Sequence, residues 1–286
     1  MSGAPKTITV FSHMHVAQTG DALRSLVDRA LESGIQVRIP ATEVEKHGFE
    51  EREGAILGAD PAGDTDLAVV LGGDGSILTV LRIFAGRAVP TFAFNYGAIG
   101  FLSSVDHGCL DDGLQRVLAG DYETIALPAL AVSADGERRF GVNDISFHRQ
   151  ATHRVAELEY SVAGEQLGKV RCDGLVVSTP VGSTGYNLAN GGPVLAWGVQ
   201  GYVVSFIAPH TLTARALVVA PDDHLSVLNL SSHDDVEVTT DGRKVETLGP
   251  GEETSVSFHQ EQVQLAQIPG STFYHRFRDK FGRLAY

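Results

Sequence analysis

The chain has 286 residues, 43% of them hydrophobic and 20% charged, as expected for a globular protein with one large or two ordinary domains. Its net charge of −13 argues against nucleic acid or an anionic membrane surface as the main partner. The sequence has no run of eighteen apolar residues, and its first ten residues lack the apolar core of a secretory signal. We therefore expect a cytoplasmic protein with two free thiols that binds neither nucleic acid nor membrane.

The first 120 residues alternate between strand-like and helical patterns. Apolar, β-branched runs predict strands over residues 6–11, 35–39, 66–71 and 89–94. Apolar residues at helical spacing predict helices over residues 20–33, 76–85 and 108–119. Residues 41–65 are polar and charged, which indicates a loop with at most one helical turn. Because strands that are joined through helices pair in parallel, this part of the chain is predicted to be an α/β domain with a parallel sheet.

The pattern changes near Leu127 to short strands separated by turn residues. Asp-Gly pairs at 135–136 and 241–242 lie between strand-like runs and predict two β-hairpins. This half is predicted to be mainly antiparallel and sandwich-like. We predict an α/β domain over 1–125, a β-rich nucleotide-binding domain over 126–268, and an aromatic and basic tail over 269–286. The tail is expected to contain a short helix and to pack back on the N-terminal domain.

Residues 71–76, LGGDGS, place one carboxylate, Asp74, among three glycines, Gly72, Gly73 and Gly75. The segment follows a predicted parallel strand and opens a helix, the position where ligands gather in such sheets. Glycines and the free N–H groups of a helix start allow phosphate oxygens to come close. Asp74 then fits a general base toward a hydroxyl, or an indirect partner of Mg²⁺. The alternative is that Asp74 only caps the helix.

Two later segments also have the composition of a ligand site. Residues 171–193 form a loop rich in Gly, Ser, Thr and Asn with one aromatic ring, Tyr186, which suits a nucleoside; the alternative is an ordinary surface loop. Asn143 and Asp144 interrupt a strand-like run, and an amide with a carboxylate can hold a base edge and a ribose hydroxyl. The alternative there is an Asx turn.

Several other kinds of site are disfavoured by spacing. The P-loop pattern GxxxxGK[ST] is absent, and GGDGSIL does not complete the dinucleotide fingerprint GxGxxG. The nearest histidine pairs, His13 with His15 and His148 with His153, lack further ligands at zinc spacing. The metal ligands are therefore left unassigned.

Taken together, GGDGS, NYGAIGFL, GVND, DGLVVSTPVGSTGYNLANGGP and APHTLTAR resemble the NAD kinase family in identity and order, over residues from about 70 to 281. The GGDG loop alone is shared with phosphofructokinases and lipid kinases, whereas the combination is specific. The resemblance implies transfer of the terminal phosphoryl group of ATP, or of inorganic polyphosphate, to the adenosine-ribose 2′-hydroxyl of NAD, giving NADP. It also implies Mg²⁺ or another divalent cation and a homodimer or homotetramer.

The resemblance also implies a role for each matching residue. Asp74 would be the catalytic group at the 2′-hydroxyl, and Gly72, Gly73 and Gly75 would line the phosphoryl path. The remaining nucleotide-binding positions would be Phe101 on the adenine side, Asn143 and Asp144 at base and ribose, Arg171 and Asp173 near the nicotinamide half, and Thr184 and Tyr186 in the nucleotide loop. Two alternatives remain open: a lipid or sugar kinase of the GGDG type, and a module that senses dinucleotides without catalysis.

Overall fold

A computed structural model describes residues 3–97, 100–150 and 155–282 of the chain. It divides the chain into two compact units, Met1–Ala126 with Val263–Tyr286, and Leu127–Gln262. The elements of the first part, in chain order, are β1 (Thr7–Ser12), α1 (Val16–Glu32), β2 (Gln36–Pro40), α2 (Ala41–His47), β3 (Ala55–Ala59), β4 (Leu67–Gly72), α3 (Asp74–Ile83), β5 (Pro90–Asn95), β6 (Val105–Asp106) and α4 (Leu110–Ala119).

The first unit is built on a parallel sheet, as predicted. Its strands pair in the order β3-β2-β1-β4-β5, and every one of these pairs is parallel. Every residue of the central strand β4 is buried, which explains its continuous apolar run. Leu23, Leu26 and Val27 of α1 pack into the same core. The carboxyl ends of β1, β4 and β5 therefore lie side by side, and the glycine loop follows β4.

The prediction of a loop over residues 41–65 is wrong, because this segment contains both α2 and β3. Helix α2 was not predicted because polar side chains form its buried face: Glu43 and His47 are each 4% exposed. Ser12 Oγ, at the end of β1, lies 2.5 Å from Glu43 Oε2 and 2.8 Å from His47 Nε2. A helix that packs through hydrogen bonds lacks the apolar stripe on which a sequence prediction depends.

The second part of the chain contributes mainly strands. They are β7 (Glu123–Ala134), β8 (Glu137–Gly141), β9 (Asp144–Arg149), β10 (Ala156–Val162), β11 (Glu165–Cys172), β12 (Gly174–Ser178), then a short helix α5 (Tyr186–Ala189), followed by β13 (Tyr202–Ile207), β14 (Leu217–Val219), β15 (Leu225–Asn229), β16 (Val236–Thr240), β17 (Arg243–Leu248) and β18 (Glu253–Gln267). Helix α6 (Phe273–Phe281) ends the described chain, as the tail composition predicted.

The second unit is antiparallel, which confirms the predicted fold class. One sheet has the order β14-β13-β12-β9-β16-β17, and β11, β10, β15 and β18 pair in that order in the other. Side chains of both sheets, such as Phe147 and Val256, share one core. Both predicted hairpins form, β7–β8 and β16–β17. Their turns place Asp135 and Asp241 at φ of 51° and 45°, a region that aspartate tolerates.

Strand β18 begins in the second unit and ends in the first, where Gln264–Ala266 pair in parallel with β5. Helix α6 follows and is capped by Thr272, whose Oγ1 accepts a hydrogen bond from the N–H of His275. None of the helices in the described part of the chain is long and apolar enough to cross a membrane.

Candidate active site

The glycine loop lies at the carboxyl end of β4 and opens α3. Gly73 is the N-cap of this helix, no side chain of the described residues caps it, and Asp74 is its first residue. The alternative that Asp74 caps α3 is therefore wrong. Its carboxylate instead accepts hydrogen bonds from the N–H of Phe101, at 2.8 Å to Oδ2, and from the N–H of Leu102, at 3.1 Å to Oδ1. Asp74 is thus held by a fork of two main-chain donors from a segment beyond β5.

Close approach explains the glycine content around Asp74. A Cβ atom on Gly100 would lie 2.5 Å from Cγ of Asp74, and one on Gly97 would lie 3.1 Å from Cα of Gly73. Side chains at either position would push the loop after β5 away from the loop after β4. Gly75 is different, because no atom of the described residues lies within 4 Å of its Cβ position. Its missing side chain leaves open space at the start of α3.

Phe101 is buried by the C-terminal helix. Its side chain is 3% exposed, and its ring centroid lies 6.2 Å from that of Phe273 and 5.9 Å from that of Phe281. Lys280 Nζ lies 4.7 Å from the ring centroid, a cation–π distance. The predicted contact of Phe101 with the adenine side stays a prediction. The sequence did not predict that the main chain of Phe101 would hold Asp74.

In the second unit, Asn143 and Asp144 are held by a residue that the sequence analysis missed. The carboxylate of Asp241 accepts from three successive N–H groups: Val142 at 3.1 Å, Asn143 at 2.7 Å and Asp144 at 3.1 Å. The N–H of Asp241 donates to the Asp144 carbonyl at 2.9 Å. Asp241 is the first residue of the predicted Asp-Gly hairpin turn, and this sequence signal predicts the turn but not the three hydrogen bonds to its carboxylate.

The main-chain N–H groups of Asn143 and Asp144 are therefore fixed by Asp241, whereas their side chains take no part in these contacts. Within the described residues neither side chain makes a hydrogen bond, so neither forms an Asx turn. Asp144 is only 7% exposed. Burial, followed by the charge of Asp241, raises the pKa of its carboxyl to about 7. An amide and a carboxyl with a pKa of about 7 thus lie next to each other, and neither side chain has a hydrogen-bond partner among the described residues.

The loop after β12 docks onto Asn143. Thr179 anchors it: its N–H donates to the Asn143 carbonyl at 2.9 Å, and its Oγ1 donates to the Val142 carbonyl at 2.7 Å. A Cβ atom on Gly182 would overlap the main chain of Asn143, so glycine is required at this position. A short 3₁₀ turn then carries Thr184, whose hydroxyl lies 3.4 Å from the Val181 carbonyl.

Tyr186 follows this turn at the start of α5. Its ring stacks on that of His148, with centroids 5.7 Å apart and planes at 12°. Burial, followed by the charges of Asp144 and Asp173, raises the pKa of its phenol. The fold therefore brings Asn143, Asp144, Thr184 and Tyr186, which are separated in sequence, into one cluster.

Arg171 and Asp173 have different surroundings. Asp173 Oδ1 accepts from Nε of Arg149 at 2.7 Å, and this hydrogen bond is the main cause that lowers the pKa of Asp173 and raises the pKa of Arg149. Arg171 lies on the exposed side of β11, opposite Glu157. Arg149 was missed by the sequence analysis, because only the pairing of β9 with β12 places it beside Asp173.

Sequence comparison with protein families matches both parts of the chain. Residues 26–122 match the ATP-NAD kinase N-terminal domain, and residues 142–268 match the ATP-NAD kinase C-terminal domain. The NAD kinase of Gemmatimonas aurantiaca is 35% identical over 223 residues, which cover 76% of this chain and 77% of that protein. The NAD kinase of Geotalea daltonii is 32% identical over 280 residues, which cover 96% and 98%.

Solved structures share the fold. Yeast NADH kinase complexed with NADH superposes with a TM-score of 0.86 at 22% identity, over 99% of this chain and 88% of that one. An NAD kinase from Archaeoglobus fulgidus in complex with ATP gives 0.70 at 22% identity, over 98% of each chain.

Proposed function

The chain belongs to the NAD kinase family, and we propose that it transfers the terminal phosphoryl group of ATP to the adenosine-ribose 2′-hydroxyl of NAD, giving NADP. The 2′-oxygen attacks the γ-phosphorus, the bond from that phosphorus to the β-phosphate oxygen breaks, and ADP leaves. The relatives named above do not support the alternatives of a lipid or sugar kinase or of a non-catalytic sensor. The observation that carries the proposal is the forked attachment of Asp74 at the start of α3.

We assign Asp74 the role of base at the 2′-hydroxyl. A carboxylate has about four lone-pair sites, and the N–H groups of Phe101 and Leu102 occupy two of them. The remaining sites can accept the hydroxyl hydrogen bond and then the proton. Because the fork fixes both oxygens, the carboxylate needs little reorganisation when the substrate arrives, which favours a base whose position must be accurate.

The phosphoryl path runs over the start of α3 in this proposal. The first N–H groups of the helix and the positive end of its dipole attract phosphate oxygens, which offsets the acidic charge of the whole chain. Gly72 and Gly73 are assigned to this path because glycine lets a phosphate come close to the main chain, and the described residues leave the space around the Gly75 Cβ position open. Phosphoryl transfer depends mainly on such alignment and charge neutralisation.

The cluster of the second unit is assigned to the nucleoside. Asn143 and Asp144 have side-chain groups that bind no other described residue, as a base edge and a ribose hydroxyl require. Tyr186 offers an aromatic face and Thr184 a hydroxyl. Arg171 and Asp173 are assigned to the nicotinamide half and Phe101 to the adenine side on the family resemblance alone.

A divalent cation is expected to come with the nucleotide. Within the described residues, no three side chains of His, Cys, Asp or Glu lie together as a ready set of metal ligands. Mg²⁺ usually keeps several waters and binds through one or two carboxylates together with substrate phosphates, so the residues present fit that mode through Asp74 and water. Bound there, the ion would neutralise charge on the phosphates. We also expect a homodimer or homotetramer, on the resemblance alone, and a cytoplasmic location.

The test is a product assay. The protein is incubated with Mg²⁺, NAD and either ATP or inorganic polyphosphate, and NADP is measured with an NADP-specific dehydrogenase. We expect NADP with ATP, none after chelation of Mg²⁺, and none with 2′-deoxy-NAD. Product with polyphosphate would add a second donor. Binding of NAD without any NADP from either donor would reject the kinase in favour of a sensing module.

A further inference from the structure

The C-terminal helix α6 contacts the same main-chain segment that holds Asp74. Arg276 Nη1 donates to the Phe101 carbonyl at 2.8 Å and also to the Ser103 carbonyl. Arg276 Nη2 donates to Oε1 of Gln267 at 3.1 Å. One guanidinium therefore binds two carbonyl groups of the short segment whose N–H groups bind Asp74.

The chain of contacts runs from α6 to the carboxylate through main-chain groups only. The Phe101 peptide nitrogen donates to Asp74, and its carbonyl oxygen accepts from Arg276. Leu102, between the two anchored carbonyls, supplies the second donor of the fork. The N–H groups of Phe101 and Leu102 point at Asp74 only while the main chain of this segment keeps its position. The Arg276 guanidinium fixes that position, because it binds the carbonyl groups of Phe101 and Ser103, the two neighbours of Leu102.

The anchor itself is held firmly. Gln267, whose Oε1 accepts the hydrogen bond from Nη2 of Arg276, is 1% exposed. Its amide nitrogen donates to Oε1 of Glu123 and to the Ser271 carbonyl, both at 2.7 Å. Burial lowers the pKa of Arg276 to about 10, while the charge of Asp74 raises it. The side chain is therefore a cation at neutral pH, beside the carboxylate that it helps to place.

We propose that Arg276 is a positioning residue for the phosphoryl-transfer reaction, which fixes the Phe101–Ser103 main chain so that its two N–H groups hold Asp74 in register with the substrate hydroxyl. This inference rests on the proposed role of Asp74. It gives α6 a part in turnover although no residue of the helix is assigned to the reacting atoms.

The first test is a double-mutant cycle. Arg276→Gln should lower kcat about tenfold, because the base loses its placement and a nearby cation, and it should change the KM values for NAD and ATP less than about threefold, because no assigned substrate contact is removed. In an Asp74→Asn background the same substitution should cost nothing further, since both act through one group. Arg276→Lys keeps a cation but loses the two Nη groups of the guanidinium, so its kcat should lie between those of the wild type and of Arg276→Gln. Turnover is expressed per NAD-binding site, so that unfolded protein does not count.

The matched control is Arg278→Gln, on the same helix. The Arg278 side chain is 68% exposed and pairs only loosely with Asp279 at 3.7 Å, so its removal should leave turnover at the wild-type value. An equal loss of turnover for Arg276→Gln with and without Asp74 would overturn the proposal and assign Arg276 to general stability.

The second test does not depend on turnover. Hydrogen exchange of the Phe101 and Leu102 N–H groups should be faster in Arg276→Gln and unchanged in Arg278→Gln. If these two N–H groups exchange in Arg276→Gln at the wild-type rate, the proposal is overturned, whatever the kcat of that variant. A wild-type protein that makes no NADP would reject the proposed function, while the exchange result would still decide whether Arg276 fixes the segment. If Arg276→Gln does not fold, Arg276→Lys is used in both tests.

Discussion

Asp144→Asn should make the protein more stable, and by an amount that depends on pH. Asp144 is 7% exposed, and burial with the nearby charge of Asp241 raises the pKa of its carboxyl from 3.8 to about 7. In the unfolded chain the carboxyl returns to its ordinary value, so between these two pH values the folded state binds more protons than the unfolded state. Stability is therefore lost as the pH rises, until the folded carboxyl is also ionised.

The size of the effect follows from the two pKa values. A rise of about three pKa units at about 1.4 kcal/mol each amounts to roughly 4 kcal/mol of unfolding free energy. The advantage of Asp144→Asn over wild type should widen by roughly that amount between about pH 4 and about pH 8, and then stay constant. Urea unfolding at several pH values measures it, with Asp222→Asn as the matched substitution of an exposed aspartate.

The same substitution should weaken ligand binding. A hydrogen bond to a charged group contributes about 1.5–3 kcal/mol, whereas one between neutral groups contributes about 0.5–1.5 kcal/mol. The amide oxygen of asparagine can still accept from the ribose hydroxyl, so the affinity for NAD should fall by about 1 kcal/mol near pH 8. Calorimetric titration of both proteins provides the comparison. The argument that ionised Asp144 lowers the stability would be refuted by either of two results. One is a difference in unfolding free energy between Asp144→Asn and wild type that does not change with pH, and the other is an Asp144→Asn protein less stable than wild type.

Three further substitutions test the architecture around the two clusters. Gly100→Ala places a Cβ atom 2.5 Å from Cγ of Asp74 and should lower kcat at least tenfold, with thermal unfolding recorded to show that the fold is kept; unchanged kcat would show that the fork tolerates displacement. Asp241→Asn leaves one acceptor oxygen for three N–H groups and should weaken NAD binding by about 1–3 kcal/mol, whereas equal affinity by calorimetry would show that the turn does not hold the site. Gly182→Ala overlaps the Asn143 main chain and should lower both the melting temperature and the NAD affinity; a change in neither would contradict the docking of the loop.

The residues predicted correctly from sequence are those whose chemistry is local. The apolar run of β4 and the glycines after it predict a buried parallel strand and an open turn, because both properties belong to adjacent residues. The hairpin at Asp241 was predictable for the same reason. Each of these signals lies within a few consecutive positions.

The contacts that were missed join distant parts of the chain. The donors to Asp74 come from Phe101 and Leu102, 27 and 28 residues later, and no pattern in the GGDGS segment points to them. Arg149 reaches Asp173 only because β9 pairs with β12, and the register of that pair is a property of the folded sheet. Helix α2 was missed because its buried face is polar. It packs on β1 through hydrogen bonds, so its sequence lacks the hydrophobic periodicity that predicts a helix.

The proposed role of Asp74 is tested most directly by turnover of Asp74→Asn at saturating NAD and ATP, with NAD affinity measured separately by calorimetry. Asparagine keeps the size of the side chain and one of the two oxygens that accept from the Phe101 and Leu102 N–H groups, but it cannot take the proton of the 2′-hydroxyl. We predict that kcat falls about 10²-fold or more while the affinity for NAD changes less than about threefold. A folded Asp74→Asn protein that makes NADP at nearly the wild-type rate would contradict the assignment of this carboxylate as the base.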